Sequence, residues 1–550
     1  MKLADRVEQF DFVIVGSGSA GGVIAARLSE DASLKILLLE AGPADRHLLQ
    51  VMPLGFLKVA TSTSVTWQYV TEEEPGLGGR RLVLPRGRVL GGSSSVNAMI
   101  AIRGNPADYD RWAALGNEGW SYQDVLPYFK RLEQHWRGEG PFHGATGPIA
   151  IEPVTGDDML LGPLVESAEA AGVAFCDDPS GASQYGISRM EATVRAGRRS
   201  SVAREYVRPA QHRSNLTVRT GALATRLLRR GNRVTGVEYA TGRKTHKAEA
   251  RCEVVLCGGA YNTPQLLMLS GIGPADELRK AGLQPWVDLP GVGRNLSDHP
   301  NYIIGYELRD QIGLSRHLRL DRAAIAAARW FATGKGPFAS TGAAANIFLR
   351  TQSGLDRPDA QMIAMPVANT AGLWWPGRRP PFCLSARIGP LHPKSRGWVK
   401  LRTTDPRTPP RICINMFADA GDLAAMVRAV RQCERIYEQP PLADLIKRSV
   451  SPHPVGCTDE ELAAVIRREA SHRAHPVGTC RMGKDERAVV DERLRVGGVE
   501  GLRIADASIM PELPSGNTNL PTIMIGEKAA DMIRLDWSGE KATTGRPNDG

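Results

Sequence analysis

Phe10-Asp11-Phe12-Val13-Ile14-Val15-Gly16-Ser17-Gly18-Ser19-Ala20-Gly21 is the stretch that decides the fold of this 550-residue chain. An apolar strand, Phe10 to Val15, enters a glycine turn, and Val23 to Leu28 continues as a helix. A second apolar run, Ile36 to Leu39, ends in Glu40. Strand, glycine turn, helix, strand and acid is the order of a dinucleotide-binding βαβ unit. Gly16 permits the tight turn, Gly18 lets the backbone approach a pyrophosphate, and Gly21 lets helix and strand pack closely. The phosphates then meet unpaired N–H groups and the positive end of the helix dipole. Glu40 is placed to accept hydrogen bonds from the adenosine ribose hydroxyls. An ordinary glycine turn leaves the acid after the second strand unexplained. The motif alone does not separate NAD from FAD.

Working outward, Gly87-Arg88-Val89-Leu90-Gly91-Gly92-Ser93-Ser94-Ser95-Val96-Asn97 is a second unusual run. Paired glycines followed by three serines, Ser94 among them, offer close backbone approach and small donors to a flat ring system. Apolar flanks, Val89-Leu90 and Ala98 to Ile102, argue against a flexible surface loop. A third run, Val254 to Pro264, ends a strand in Gly258-Gly259, and Thr263-Pro264 reads as the cap and first turn of a helix that stops at Gly271. Near the other end come His475-Pro476-Val477-Gly478-Thr479, then Ile504-Ala505-Asp506-Ala507, then Gly516-Asn517-Thr518-Asn519-Leu520-Pro521 opening a helix.

These runs together resemble the glucose-methanol-choline (GMC) oxidoreductase family. Gly87 to Asn97 matches its first signature and Gly259 to Gly273 its second. The nucleotide loop and the His475 and Asn517 segments follow in family order, and Val292 to His299 resembles a further family stretch. The likeness runs from about Phe10 to Ile533. It implies FAD, with Gly91, Gly92, Ser94 and Asn97 by the isoalloxazine or pyrophosphate. It places Asp506 and Ala507 near the ribityl and phosphate groups, and Asn519 and Pro521 at the pyrimidine edge. Some family members attach FAD through a histidine where this chain has Val96, so non-covalent FAD is expected.

The same resemblance implies oxidation of a primary alcohol to an aldehyde. His475 abstracts the hydroxyl proton, the carbinol hydride passes to flavin N5, and Asn517 holds the substrate oxygen. His472 is the rival base, and His299 reads as structural or flavin-proximal. The electrons go on to oxygen, a quinone or another acceptor. Choline dehydrogenase is the nearest alternative. A hydroxynitrile lyase with structural FAD is the alternative from another class. Ala474, just before the base, gives no aromatic wall for a quaternary ammonium group.

The expected fold is α/β (α+β overall): a Rossmann-like FAD-binding domain with a discontinuous antiparallel-sheet substrate domain. The FAD segments are 9–45, 80–150, 200–300 and 465–535. The substrate domain and connecting segments take 46–79, 151–199 and 310–460, and 538–550 reads as a mobile tail. Phe382 to Ile388 and Gly397 to Leu401 read as alternating strands, and Asp422 to Tyr437 as an amphipathic helix. Trp374-Trp375, Trp67 and Tyr69 read either as packing or as a substrate mouth. Ala323 to Phe331 reads as a packed helix rather than a membrane anchor.

A net charge of +10 comes from basic residues spread along the chain, so no nucleic-acid arm is expected. Eight cysteines without a CxxC pair, and no secretory leader, point to reduced thiols in the cytoplasm. No apolar run reaches the length of a transmembrane segment. Peripheral contact with the inner face of a membrane stays open. No metal site is expected.

Overall fold

The computed structural model describes residues 7–544, the side chains of 538–544 excepted. Two large sheets organise it. In chain order their strands are β1 (Glu8–Val15), β2 (Ile36–Leu39), β3 (Gly186–Arg189), β4 (Leu216–Arg219), β5 (Ala222–Arg230), β6 (Arg233–Thr241) and β7 (Lys244–Leu256). Then come β8 (Pro300–Leu308), β9 (Ala345–Leu349), β10 (Ala360–Met365), β11 (Cys383–Pro390), β12 (Ile446–Ser449), β13 (Ser471–His472) and β14 (Leu502–Ile504). The helices that matter to the site are α1 (Gly21–Leu28), α2 (Gly259–Leu269), α3 (Leu320–Thr333), α4 (Ala420–Tyr437) and α5 (Asn519–Thr544).

The first sheet has the order β4-β2-β1-β7-β6-β5, with β14 beside the last residues of β7. β4, β2, β1, β7 and β14 are parallel. Both faces of the parallel part are covered, and so β1 from Phe12 onward and all of β2 are apolar. The C-terminal ends of β1, β2, β7 and β14 fall at one edge. Gly16, Glu40, Cys257 and Asp506 follow those ends at or within two residues. That edge is where parallel α/β sheets bind ligands.

The second sheet, β12-β8-β11-β10-β9-β3 with β13 on β8, is antiparallel throughout. α4 lies against it, burying Leu423, Met426, Val427, Val430 and Cys433 at helical spacing. α3 likewise turns Ala323, Ala326 and Trp330 inward. Among the described residues no helix is long and apolar enough to cross a membrane.

Three expectations need correcting. α2 begins at Gly259, so Thr263-Pro264 lies inside it rather than at its start. Pro264 has no N–H for the Ala260 carbonyl one turn earlier, and the Thr479 hydroxyl donates to that carbonyl instead, at 2.7 Å. The strand at Phe382 to Ile388 is present as β11, but neither face alternates to solvent; only Arg387 is not fully buried. The alternating strand expected at Gly397 to Leu401 is present as Trp398–Lys400, antiparallel to Arg411–Cys413 in a small separate ribbon. α5 continues to Thr544 through the expected tail, and 545–550 lie outside the described residues.

Candidate functional site

One cavity of about 640 Å³ runs from Gly16 and Glu40 at the sheet edge to His475 and Asn517. At the glycine end a Cβ on Gly21 would lie 2.0 Å from the Gly16 carbonyl oxygen, which is the close packing its position demands. Gly92, at φ +53°, sits with its bare face on Gly18, whose Cα is 2.7 Å from where a Cβ would be. Gly18 itself opens onto free space. The Glu40 carboxylate accepts from the Ser17 N–H and hydroxyl and from the Gly42 N–H. Burial raises its pKa against those donors. The Ser17 hydroxyl also accepts from the Gly91 N–H, and Ser19 donates to Asn519 at 2.8 Å, tying both ends of the chain together.

At the far end the segment 473–477 runs beside 297–299. Ser297 and Val477 exchange backbone hydrogen bonds, Arg473 N–H donates to the His299 carbonyl, and His475 N–H donates to the Asp298 carboxylate. Ala474 takes the left-handed conformation, φ 63°, to turn into His475. Asn517 is fixed by its neighbours. Ser515 N–H and hydroxyl donate to Asp108, and Gly516 has no room for a Cβ, which would meet Ile102 at 2.4 Å.

The hydrogen bonds assign the protons. The Leu391 carbonyl can only accept, so His299 Nε2, 3.0 Å away, carries a hydrogen. Burial, with Arg473 nearby, pulls His299 down to about 3, so it is neutral and its Nδ1 is an acceptor. His475 Nδ1, 3.0 Å from that atom, must therefore donate. His475 Nε2 is left as an acceptor and takes a hydrogen bond from the Asn517 amide at 3.1 Å, the bond that a substrate hydroxyl would replace. Burial holds the His475 pKa well below its ordinary value, with His299, Arg473, Arg86 and His472 adding to the effect. His475 is thus a neutral imidazole presenting a basic nitrogen to the cavity. His472 is not equivalent: its Nε2 donates to the Val83 carbonyl and its Nδ1 accepts from the Ala474 N–H. Both of its partners are backbone groups, whereas His475 Nε2 faces a side-chain amide.

Gly16, Gly18, Glu40, Gly92, Asn97, Asp506, Ala507, Asn519, His475 and Asn517 all line the cavity. Gly21, Gly91, Ser94 and Pro521 do not. Gly91 (φ +86°) and Ser94 instead support the lining loop, Ser94 by donating to the Gly91 carbonyl and accepting from the Val202 N–H. Asp506 accepts from the Gly259 N–H, the Thr263 hydroxyl and the Ser508 N–H, so it fixes the start of α2 as well as lining the cavity. Val96 lines the cavity without a nucleophile. Trp67 lines it, with the Arg88 guanidinium 4.9 Å from its ring centre. Tyr69 donates to Asn262, Trp374 packs edge-on against Phe382, and Trp375 is exposed; none of these three lines the cavity. Sequence reasoning missed His299 as the partner of His475, and it missed Arg387 and Arg473 in the cavity wall. Val292 to His299 had marked the first; nothing local marks the arginines.

The sequence matches GMC oxidoreductase over residues 10–301 and again over 393–526. The chain belongs to the GMC oxidoreductase family. It is 41% identical over 529 residues to the oxygen-dependent choline dehydrogenase of Brucella anthropi, covering 95% of each chain. The Stenotrophomonas maltophilia protein of the same name is 41% identical over 535 residues, covering 96% of this chain and 95% of that one. Among solved structures, pyridoxine 4-oxidase from Mesorbium loti superposes with a TM-score of 0.86 at 30% identity, covering 96% and 99% of the two chains. Formate oxidase from Aspergillus oryzae does so at 0.91 and 27%, covering 97% and 99%.

This GMC oxidoreductase is an FAD-dependent enzyme acting on CH–OH donors. The cavity fits that cofactor. The bare backbone of Gly18 opens onto the cavity, and Glu40 lines it at the end of β2. The Asn517 amide oxygen is buried without a hydrogen-bond partner at the cavity wall.

Proposed function

We propose that the protein oxidises a primary alcohol to its aldehyde, with His475 as general base and Asn517 as the group that holds the substrate oxygen. The observation that carries this is the lone pair of His475 Nε2, set by the Leu391–His299–His475 chain and aimed at the Asn517 amide. FAD, when bound, supplies the acceptor for the two electrons of the carbinol hydride. His475 takes the hydroxyl proton at Nε2. Asn517 carries a second amide hydrogen that can donate to the oxygen as its charge develops. Arg86 and Arg473, which add to the lowering of the His475 pKa, also favour the alkoxide.

In this reading the segments of the first sheet bind FAD and the second sheet forms the substrate side, where Ile363, Met365 and Arg387 reach the cavity. Similarity to choline dehydrogenases supports alcohol oxidation as the class of reaction. FAD is held without a covalent bond, since Val96 offers none. The final acceptor is oxygen, a quinone or another electron acceptor.

Anaerobic mixing of the FAD-loaded protein with a panel of primary alcohols tests the proposal. Bleaching of the flavin by at least one of them is expected. A flavin that stays oxidised with every alcohol would leave a lyase or a mere binder. Admitting oxygen afterwards separates an oxidase from a dehydrogenase.

A further inference from the structure

Three arginines, Arg86, Arg387 and Arg473, line the same cavity as His475. The carboxylates lining it, Glu40 and Asp506, follow β2 and β14 at the glycine end, and both are held there by protein donors. At the substrate end neutral acceptors position the arginines without neutralising them. Arg473 donates to the Gln361 side chain and to the Gln361 and Arg387 carbonyls, the latter at 2.7 and 3.0 Å. Its Nε is buried with no partner. Arg387 donates to Asn369 at 2.8 Å, and Arg86 to the Pro85 carbonyl at 2.6 Å. Asp298 lies close to Arg473 but is turned to the backbone N–H of His475 and does not line the cavity.

Burial pulls Arg387 down from its ordinary value and Arg473 down to about 9, and each therefore keeps its proton at neutral pH. Among the described residues Arg387 has no carboxylate partner and Arg473 has Asp298 nearby but not bonded to it, so both are poorly solvated and an incoming anion relieves them. Guanidinium forks match a carboxylate through paired, charge-assisted hydrogen bonds. A quaternary ammonium group meets the opposite conditions here. It would face like charge, and Trp67, the one tryptophan of the cavity wall among the described residues, is already beside the Arg88 guanidinium.

We propose that the alcohol oxidised at this site carries a carboxylate, which seats on Arg387 with the charge of Arg473 beside it, while its carbinol reaches His475 and Asn517. This rests on the alcohol-oxidation reading above and assigns only the tail of the substrate.

Binding and turnover test the two separately. Benzoate should bind the FAD-loaded protein at least about thirtyfold more tightly than benzamide, read from the flavin absorbance. Likewise kcat/KM for 4-(hydroxymethyl)benzoate should exceed that for 4-(hydroxymethyl)benzamide by a similar factor, with choline poorer than both. Arg387→Gln and Arg473→Gln should collapse the acid-to-amide ratio to within about threefold, and Arg387→Lys should keep part of it. Equal binding of benzoate and benzamide by the unaltered protein, or choline as the best substrate of the three, overturns the carboxylate subsite even if neutral alcohols are oxidised well. No flavin reduction by any alcohol overturns the oxidation reading beneath it, even if benzoate binds.

Discussion

Leu391 contributes only a backbone carbonyl, yet that carbonyl determines which nitrogen of His475 can take a proton. It fixes the His299 tautomer, and His299 fixes that of His475. His299→Leu removes the acceptor for His475 Nδ1 and lets the ring turn over to the wrong tautomer. Flavin reduction should slow by about tenfold or more with FAD still bound, whereas His299→Gln, whose amide oxygen can accept, should retain more of the rate. Equal rates in all three proteins would remove His299 from this role. The pH dependence follows from the same chain. A base works when deprotonated, and burial depresses the His475 pKa, so it is ready throughout neutral pH. The reduction rate should fall only as pH drops below the ordinary imidazole value of about 6.5. An acid limb at or above 6.5 in the unaltered protein would contradict the electrostatics described.

At the scale of elements, α2 depends on a residue 219 positions away. The Thr479 hydroxyl takes the place of the N–H that Pro264 lacks, which locks the His475 segment onto the helix after β7. Thr479→Val keeps the shape and leaves the Ala260 carbonyl buried and unpaired. It should cost about 1–3 kcal/mol, seen as a lower urea midpoint, and Thr479→Ser should recover most of the loss. An unchanged midpoint in the valine variant would show that the carbonyl finds another donor. β1, α1, β2, the end of β7 and α4 were legible because apolar periodicity and glycine placement are local signals. The true start of α2 was not, since a proline inside a helix is tolerated only through a partner brought in by tertiary structure. Nor was the burial of both faces of β11, which depends on α4 packing against the sheet.

Across the whole molecule, the glycine loop after β1 and the segment carrying His475 meet over one cavity although the chain separates them by more than four hundred residues. That His475, Asn517, Gly16, Gly18 and Gly92 line one cavity could be read from motifs. Arg387 and Arg473 could not, because their shared wall arises from pairing β10 with β11 and from the strap at 297–299. Since Val96 offers no attachment point, acid precipitation should leave the yellow colour in the supernatant; colour in the pellet would reveal a covalent bond elsewhere. The central claim, that the chain folds so as to place a neutral imidazole where FAD and an alcohol meet, is tested most directly by anaerobic stopped-flow reduction of the flavin in the unaltered protein and in His475→Ala. Loss of at least about a hundredfold in the reduction rate is expected, with the FAD content unchanged. Reduction at the unaltered rate in the FAD-loaded variant would contradict it.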